Sequence, residues 1–179
     1  MRTVVLSMNT SLDGYIASRN GGLEWAFSRF DPEIMSLNAV ELRELDTILM
    51  GRKTYEGMVA HWPNLNDSVA QIMNSVDKVV FSHTLKDVLW SGARLAKCSV
   101  AEEIAELKRG PGKRIGIAGG AMLAQAVISA KLIDEYRLMM HPVALGQGLP
   151  LFVEALQLER LDSIALGSGV TITKYGPLV

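Results

Sequence analysis

Short apolar runs recur along the chain, and their length and composition predict buried β-strands rather than surface helices. Each run ends at a glycine or a polar residue, and a segment typical of a helix follows it. The runs are Thr3 to Met8, Thr47 to Met50, Lys78 to Phe81 and Arg114 to Ala118. Repeated alternation of strand and helix implies that these strands pair in parallel.

Capping signals locate two of the helices. Asp31 stands before a proline and a glutamate, an order typical of a helix N-terminus, and this predicts a helix that runs to about Leu45. Ser99 and Glu102 have the spacing of a capping box and predict the start of a second helix. The glycine-proline-glycine sequence at 110–112 ends that helix.

The last third of the chain has a different pattern. Residues 120–131 are apolar on almost every side, which is typical of a helix covered by other elements or by a second subunit, so this segment is a candidate homodimer face. Glu135 to Leu145 and Ser163 to Thr173 are extended runs without a following helix, and they predict antiparallel strands at one sheet edge. The prediction is a single α/β domain over residues 1–179, with a mostly parallel central sheet, flanking helices and antiparallel strands added at the C-terminal edge.

Composition and charge exclude several classes of protein. The chain has 179 residues, of which 49% are hydrophobic and 21% charged, so it is globular and long enough to bury its own core. Eighteen basic residues nearly cancel nineteen acidic ones, and the net charge of −1 provides no field that would hold a polyanion. We therefore expect no nucleic-acid partner.

The cysteine content and the hydropathy pattern indicate a cellular location. Cys98 is the single cysteine and cannot form an internal disulfide, and the sequence shows no signal-peptide pattern. No run approaches the length of about 18 apolar residues that a membrane-spanning helix needs. We expect a cytoplasmic protein without a membrane partner.

One basic segment, Gly51-Arg52-Lys53-Thr54, lies where the second predicted strand ends and a helix begins. Free backbone N–H groups at a helix start favour an anion, and the two cations would add charge-assisted hydrogen bonds to it. An ordinary basic helix start is the alternative, although cations are disfavoured at a helix N-terminus unless an anion compensates them. The segment predicts a phosphate site.

A second turn of this kind contains Gly119 and Gly120, between the fourth strand and its helix. Without side chains there, a pyrophosphate can approach the backbone, although a tight turn accounts for the glycine pair equally well. Open α/β sheets bind ligands beyond the carboxyl ends of their strands, so two such turns at one edge indicate a nucleotide site. The loop 7–17 after the first strand is a candidate flap, and Asp13 within it is interpreted as a turn residue.

Several segments together carry a family resemblance over nearly the whole chain. They are Ser11-Leu12-Asp13-Gly14-Tyr15-Ile16-Ala17, Leu49-Met50-Gly51-Arg52-Lys53-Thr54-Tyr55-Glu56 with Trp62, Val79-Val80-Phe81-Ser82, Gly119-Gly120, and Pro142-Val143-Ala144-Leu145-Gly146 with Leu151-Phe152. Their order resembles the dihydrofolate reductase-like family. Within it, the chain is most similar to the bacterial branch grouped with the C-terminal reductase domain of the bifunctional riboflavin biosynthesis protein.

The resemblance implies an NADPH-dependent reductase that transfers hydride to a small heterocyclic, pterin- or pyrimidine-like substrate. The positions that match the family's cofactor site are Ile16, Ala17, Gly51, Arg52, Lys53, Thr54, Ser82, His83, Gly119, Gly120, Ala121 and Met122. Independently of the family, paired cations suit NADP, whose ribose carries an additional phosphate, better than they suit NAD.

The resemblance also gives candidates for catalysis and substrate binding. Dihydrofolate reductases carry a carboxylate early in the helix after a tryptophan, and Asp31 and Glu33 match that position approximately. Either acid, or an ordered water, would supply the proton, while the helix cap is the alternative role of Asp31. Trp25 and Trp62 are candidates to line an aromatic substrate pocket, with ordinary core packing as the alternative. We do not expect folate reduction to be the physiological activity, because the match is only approximate.

Two other functions remain open. One is a riboflavin-biosynthesis-type 5-amino-6-(5-phosphoribosylamino)uracil reductase, which needs polar groups for the substrate phosphate. The other is a non-catalytic NADP-binding protein. His61, His83 and His141 are far apart in sequence and lack the spacing of zinc ligands, so no metal is predicted.

Overall fold

A computed structural model describes residues 1–178, which form an eight-stranded sheet and a separate two-stranded sheet. The main sheet contains β1 (Thr3–Thr10), β3 (Leu45–Gly51), β4 (Asp77–Phe81), β5 (Ala93–Leu95), β6 (Arg114–Ala118), β7 (Glu135–Met140), β9 (Leu158–Ala165) and β10 (Thr171–Pro177). The small sheet pairs β2 (Tyr15–Ala17) with β8 (Leu149–Pro150). The helices are α1 (Glu24–Phe27), α2 (Pro32–Arg43), α3 (Arg52–His61), α4 (Ser68–Ser75), α5 (Val100–Arg109) and α6 (Ala121–Ser129), with a short 3-10 turn at Trp62–Asn64.

The strand order in the main sheet is β5-β4-β3-β6-β1-β7-β10-β9. All pairs from β5 to β7 are parallel, whereas β10 runs antiparallel to both β7 and β9. The predicted fold class is confirmed. The carboxyl ends of β4, β3, β6, β1 and β7 consequently meet at one edge of the sheet.

Helices cover the two faces of the sheet in different ways. On one face, Ile104 of α5 and Leu123 of α6 belong to a continuous core with Leu6 and Ile117. On the other face, α2 packs over β7 and β10 through one cluster, whereas α3 and α4 pack over β3 and β4 through a separate cluster. The second face is thus covered by α2 on one side and by α3 and α4 on the other, and Leu42, near the C-terminal end of α2, packs against the second cluster.

The capping signals are confirmed. Asp31 is the N-cap of α2 and its side chain accepts a hydrogen bond from the Ile34 N–H at 2.9 Å. Ser99 and Glu102 form the complete capping box of α5. Helix α2 ends at Arg43, two residues before the expected end, because β3 begins at Leu45.

Three expectations about single elements are wrong. No helix follows β4: the Ser82 hydroxyl accepts hydrogen bonds from the Thr84 and Leu85 N–H groups, and an irregular segment leads to β5. The extended run from 163 to 173 is instead the end of one strand, a turn in which Gly169 has a φ of +84°, and the start of the next strand. The run from 135 to 145 ends as a strand at Met140, and this strand, β7, pairs in parallel with β1 and lies inside the sheet rather than being an antiparallel strand at its edge.

Helix α6 packs one of its faces on the sheet of its own chain. Leu123, Ala124, Val127 and Ile128 are buried, whereas Met122 is exposed. Across residues 1–178, no helix has both the length and the apolar character that crossing a membrane requires.

Candidate cofactor site and the adjoining cleft

Two strand-to-helix turns touch each other at the carboxyl edge of the sheet. Strands β3 and β6 are neighbours, with Met50 opposite Ala118, so the segments that follow them begin side by side. Thr54, in the first turn of α3, packs against the glycine turn: a Cβ on Gly119 would lie 3.0 Å from Thr54 Oγ1, and one on Gly120 would lie 3.3 Å from it. The structure therefore brings the two predicted phosphate turns together.

Both turns open onto helix N-termini whose backbone N–H groups no side chain caps. Gly51 is the N-cap of α3 and Gly120 is the N-cap of α6, and neither helix has an acidic residue in its first turn. Gly119 and Gly120 have φ values of +54° and +76°, which glycine adopts without a steric penalty. Two uncapped helix N-termini at one edge provide backbone donors and partial positive charge for an anion.

The two predicted cations lie at the start of α3. Arg52 is about two-fifths exposed and its Nη1 is 2.9 Å from Oε1 of Glu56, one helical turn further on. Lys53 is exposed. A surface ion pair of this type is worth about 0.3–0.5 kcal/mol, so an incoming phosphate can displace Glu56 as the partner of the guanidinium.

Ser82 and His83 follow β4, the neighbour of β3, and therefore extend the same edge. The Ser82 hydroxyl oxygen accepts from two backbone N–H groups at 3.1 and 2.9 Å, so its role in this structure is to hold the turn. His83 is exposed. Ala121 and Met122 begin α6 beside the glycine turn, and Met122 is also exposed.

The candidate flap is tied to the segment that follows β7. Both Ile16 and Ala17 are buried in β2, which pairs with β8. Gly148 permits this pairing, because a Cβ there would overlap the carbonyl oxygen of Ala17. The flap and the segment 143–151 therefore pack as one unit at the carboxyl edge.

Asp13 fastens this unit. Its Oδ2 accepts from the Gly146 N–H at 2.7 Å, and its Oδ1 accepts from the Leu145 N–H at 3.1 Å and from the Ser11 hydroxyl at 2.6 Å. The hydrogen bond from Ser11, followed by those from the two backbone groups, lowers the pKa of Asp13 to about 2. Asp13 is a structural residue of the flap, as its turn sequence predicts.

The sheet is uncovered at Ser7, and we call this uncovered stretch the cleft. Ser7 is exposed although its strand, β1, lies between β6 and β7. Ser7 is paired with Arg137 of β7, and paired residues have their side chains on the same face of the sheet. The Arg137 guanidinium contacts α2, at 3.4 Å from Asn38 Oδ1 and 3.5 Å from Glu41 Oε1. Ser7 therefore lies on the face that α2 covers in part. The cleft is therefore bounded by α2 on one side and by α3 on the other.

The two predicted pocket tryptophans lie in different places. Trp25 meets the ring of His141 edge-on, with 5.5 Å between centroids, at the end of β7. Its Nε1 is buried and has no hydrogen-bond partner in the described chain. Trp62 lies after α3, packed against the β3–β4 cluster. Only Trp25 adjoins the carboxyl end of β7.

The two candidate proton donors lie at the start of α2, close to that same end of the sheet. The Asp31 carboxylate caps the helix, as described above, and Glu33 is exposed in the first turn. Phe30, the preceding residue, stacks on His141 with 6.2 Å between ring centroids. Of the two carboxylates, that of Asp31 already accepts a hydrogen bond from a backbone N–H.

Sequence reasoning missed the polar pair at the ends of β1 and β7. His141 is fully buried, and its Nε2 lies 2.8 Å from Asn9 Oδ1. The sequence signal for Asn9 is its place as a polar residue at the carboxyl end of a strand predicted to be buried. Nowhere in residues 1–178 do three or more His, Cys, Asp or Glu side chains group as metal ligands.

Comparison with known proteins identifies relatives over almost the full chain. Residues 2–172 match the family model described as the RibD C-terminal domain. The protein YyaP of Bacillus subtilis strain 168 is 34% identical over 182 residues, covering 97% of this chain and 94% of YyaP.

Two solved structures share the architecture. A protein of Shewanella sp. PV-4, named for riboflavin biosynthesis, has a TM-score of 0.80 at 27% identity and covers 99% of both chains. Dihydrofolate reductase from Enterococcus faecalis, solved with NADP(H), has a TM-score of 0.65 at 17% identity, over 98% of this chain and 96% of that one. The second likeness shows the fold alone.

Proposed function

The chain belongs to the RibD C-terminal domain family, and from that membership we propose that it is an NADPH-dependent reductase that transfers hydride to a small heterocyclic, pterin- or pyrimidine-like substrate. The family and the fold support an oxidoreductase in general. The choice of cofactor and of substrate class is the proposal.

The observation that carries the proposal is the contact of Thr54 with the Gly119–Gly120 turn. It joins two uncapped helix N-termini into a single site at the carboxyl edge, where open α/β sheets hold nucleotides. The glycines keep the backbone clear of side chains, as close approach of a pyrophosphate requires. The residues present therefore fit a dinucleotide.

Arg52 and Lys53 favour NADPH over NADH. Both cations lie in the first turn of α3, on solvent-accessible side chains that can turn towards a ribose 2′-phosphate. A hydrogen bond to a charged group contributes about 1.5–3 kcal/mol, so the additional phosphate is worth about tenfold or more in affinity.

The remaining residues orient the two rings and exclude water. When bound, NADPH supplies the hydride, and the protein supplies position and environment. Ile16 and Ala17 are buried in the flap, which Asp13 fastens to the segment 143–151. Asp31 and Glu33, at the start of α2, are the carboxylates from which a proton would reach the substrate, directly or through water, and Glu33 is the freer of the two because Asp31 caps the helix.

Cofactor titrations test the proposal. Quenching of tryptophan fluorescence should report NADPH binding at least about tenfold tighter than NADH binding. Replacing both Arg52 and Lys53 with Gln should remove that preference, whereas Arg109→Gln, at the exposed end of α5, should retain it. Equal binding of the two cofactors, or tighter binding of NADH, would contradict the roles of the two cations.

A turnover assay separates the reductase from a binding protein. Loss of NADPH absorbance with a panel of pterins, pyrimidines and carbonyl compounds is the expected result. Binding of NADPH without oxidation by any member of the panel would identify a non-catalytic NADP-binding protein instead.

A riboflavin-type reductase of 5-amino-6-(5-phosphoribosylamino)uracil is the second candidate, favoured by the family and by the name of the Shewanella relative. This substrate carries a phosphate. On the face that α2 covers, Lys174 and Arg137 share the single carboxylate of Glu41, whereas Arg114 and Glu135 pair at the opposite, amino end of the sheet. Comparison of the phosphorylated substrate with its dephosphorylated form in the same assay decides between the two candidates.

A further inference from the structure

The cleft floor ends in a polar pair that the proposed function does not yet use. His141 is fully buried at the end of β7, and Asn9 is half-buried at the end of β1. Their side chains are joined by a hydrogen bond of 2.8 Å between Nε2 and Oδ1. The ring of His141 makes a T-shaped contact with Trp25 and stacks on Phe30.

The surroundings fix the charge of His141. Burial, together with the nearby positive charge of Arg29, lowers the pKa of His141 below its ordinary value of 6.5. The imidazole is therefore neutral at pH 7 and carries a single N–H.

The position of that proton follows from the partners of the two nitrogens. Nδ1 of His141 is buried and has no hydrogen-bond partner among residues 1–178. A proton on Nδ1 would be a buried donor without an acceptor, which native proteins very rarely contain, whereas an unpaired acceptor is better tolerated. The proton therefore lies on Nε2, and His141 donates to Asn9 Oδ1.

This hydrogen bond fixes the orientation of the Asn9 amide. Because Oδ1 accepts from the imidazole, the NH₂ group is directed away from His141, and no hydrogen bond from it to the described chain is present. Side chains alternate along a strand, so Asn9 shares a face with Ser7, whose hydroxyl is exposed in the cleft. Asn9 therefore presents two N–H donors to the cleft.

We propose that Asn9 is a specificity-determining residue that donates through Nδ2 to a ring carbonyl of the substrate, and that His141 is the positioning residue that holds the amide in this orientation. The substrate class is an uncharged heteroaromatic lactam, such as a pterin or a pyrimidinone. The inference rests on the proposed function, because it assumes that the cleft beside the cofactor turns receives the substrate.

Binding of matched ring probes tests this inference without turnover. The probes are 6,7-dimethylpterin and its analogue without the 4-oxo group, titrated by calorimetry into the full chain saturated with NADP⁺. The wild-type protein should bind the oxo ring about tenfold more tightly, the worth of one partly exposed hydrogen bond. Asn9→Ala should reduce the ratio to about one, and Asn9→Asp, which offers an acceptor only, should also lose the preference.

His141 variants separate positioning from structure. His141→Gln retains a donor towards Oδ1 and should keep most of the preference, whereas His141→Phe fills the space without a donor, frees the amide to rotate and should lower the ratio several-fold. Long-range proton–nitrogen NMR correlation of the wild-type imidazole should show Nε2 protonated. A proton on Nδ1 would overturn the assigned role of His141.

The outcomes distinguish this inference from the proposed function. Equal binding of the two probes to the wild-type protein, no binding of either, or a preference that survives in Asn9→Ala would overturn the role of Asn9 even where NADP⁺ binds normally. Failure of NADP⁺ to bind would instead contradict the cofactor proposal. Asn9→Ser, the mildest change in β1, repeats the test if the alanine variant does not fold.

Discussion

A Cβ atom on Gly119 would lie 3.0 Å from both Cγ2 and Oγ1 of Thr54. Real Cβ atoms rarely approach a neighbour so closely, so any larger residue after β6 would push against the first turn of α3. The contact links the Gly51–Thr54 segment to the Gly119–Gly120 turn, the two elements from which a nucleotide site was predicted. The packing of each element therefore depends on the other.

Gly119→Ala should destabilise the protein by about 2 kcal/mol, because a left-handed backbone costs an alanine about 1–2 kcal/mol and the crowded Thr54 adds to this. Adding Thr54→Ala to this variant should recover only the steric part of the lost stability, since the φ of +54° at position 119 is unchanged. Urea unfolding of the two single variants and the double variant measures the coupling. Strict additivity would show that the contact has no energetic effect.

Gly57 provides the matched control within α3. A Cβ there would meet nothing within 4 Å, and its φ lies outside the left-handed range. Gly57→Ala should therefore stabilise the protein by about 0.5–1 kcal/mol, the difference between the helix propensities of the two residues.

Local chemistry explains which elements the sequence predicts well. Arg114 to Ala118 is an uninterrupted run between turn residues, and β6 has these bounds. Asp31 caps α2 through contacts within a single helical turn, since its side chain and the proline after it both act on the first residues of the helix. The small sheet was not predicted, because it pairs Tyr15 with Pro150 across most of the chain. Such pairings depend on the whole fold rather than on any local pattern.

Removing the partner of Arg52 should strengthen cofactor binding. Glu56→Gln frees the guanidinium from its 2.9 Å ion pair and removes a negative charge near the proposed phosphate position. NADPH should bind several-fold more tightly and NADH should be unaffected, while stability changes by less than about 0.5 kcal/mol. Glu106→Gln, exposed on α5, is the control and should change neither affinity. Weaker NADPH binding in Glu56→Gln would contradict the site.

Asp13 should stabilise the flap over a defined range of pH. Its pKa of about 2 lies below the ordinary value of 3.8, so its contribution is present above pH 3.8 and is lost as the pH falls towards 2. The difference in unfolding free energy between the wild-type protein and Asp13→Asn should be constant near neutrality and narrow below pH 3.8. Asp87→Asn, also exposed, serves as the control. A difference independent of pH would show that the carboxylate charge is not the cause.

The site was predicted where its residues are close in sequence and missed where they are not. The Gly51–Thr54 segment carries its own chemistry, because cations beside uncapped N–H groups indicate an anion. Asn9 and His141 are 132 positions apart, and nothing local marks either as the partner of the other. Trp25 and Trp62 were grouped by residue type, and the fold separates them.

The buried carboxylate of Glu103 should make the stabilising contribution of Arg94 depend on pH. Arg94 holds Glu103 through two hydrogen bonds of 2.6 and 3.0 Å and keeps the pKa of that carboxyl below its ordinary value of 4.5. Arg94→Met leaves the almost fully buried carboxylate of Glu103 without its partner and should lower the unfolding free energy by about 2 kcal/mol. This is less than the loss of one partner from a fully buried pair, because Arg94 is partly exposed. In the wild-type protein the ion pair stabilises the fold above pH 4.5, and this stabilisation weakens as the pH falls through the lowered pKa of Glu103. In the variant, protonation of Glu103 removes the unpaired buried charge. The unfolding free energies of the two proteins should therefore converge in acid. Urea unfolding between pH 3 and pH 7, with Arg109→Met as the exposed control, measures this, and an unchanged gap at low pH would contradict it.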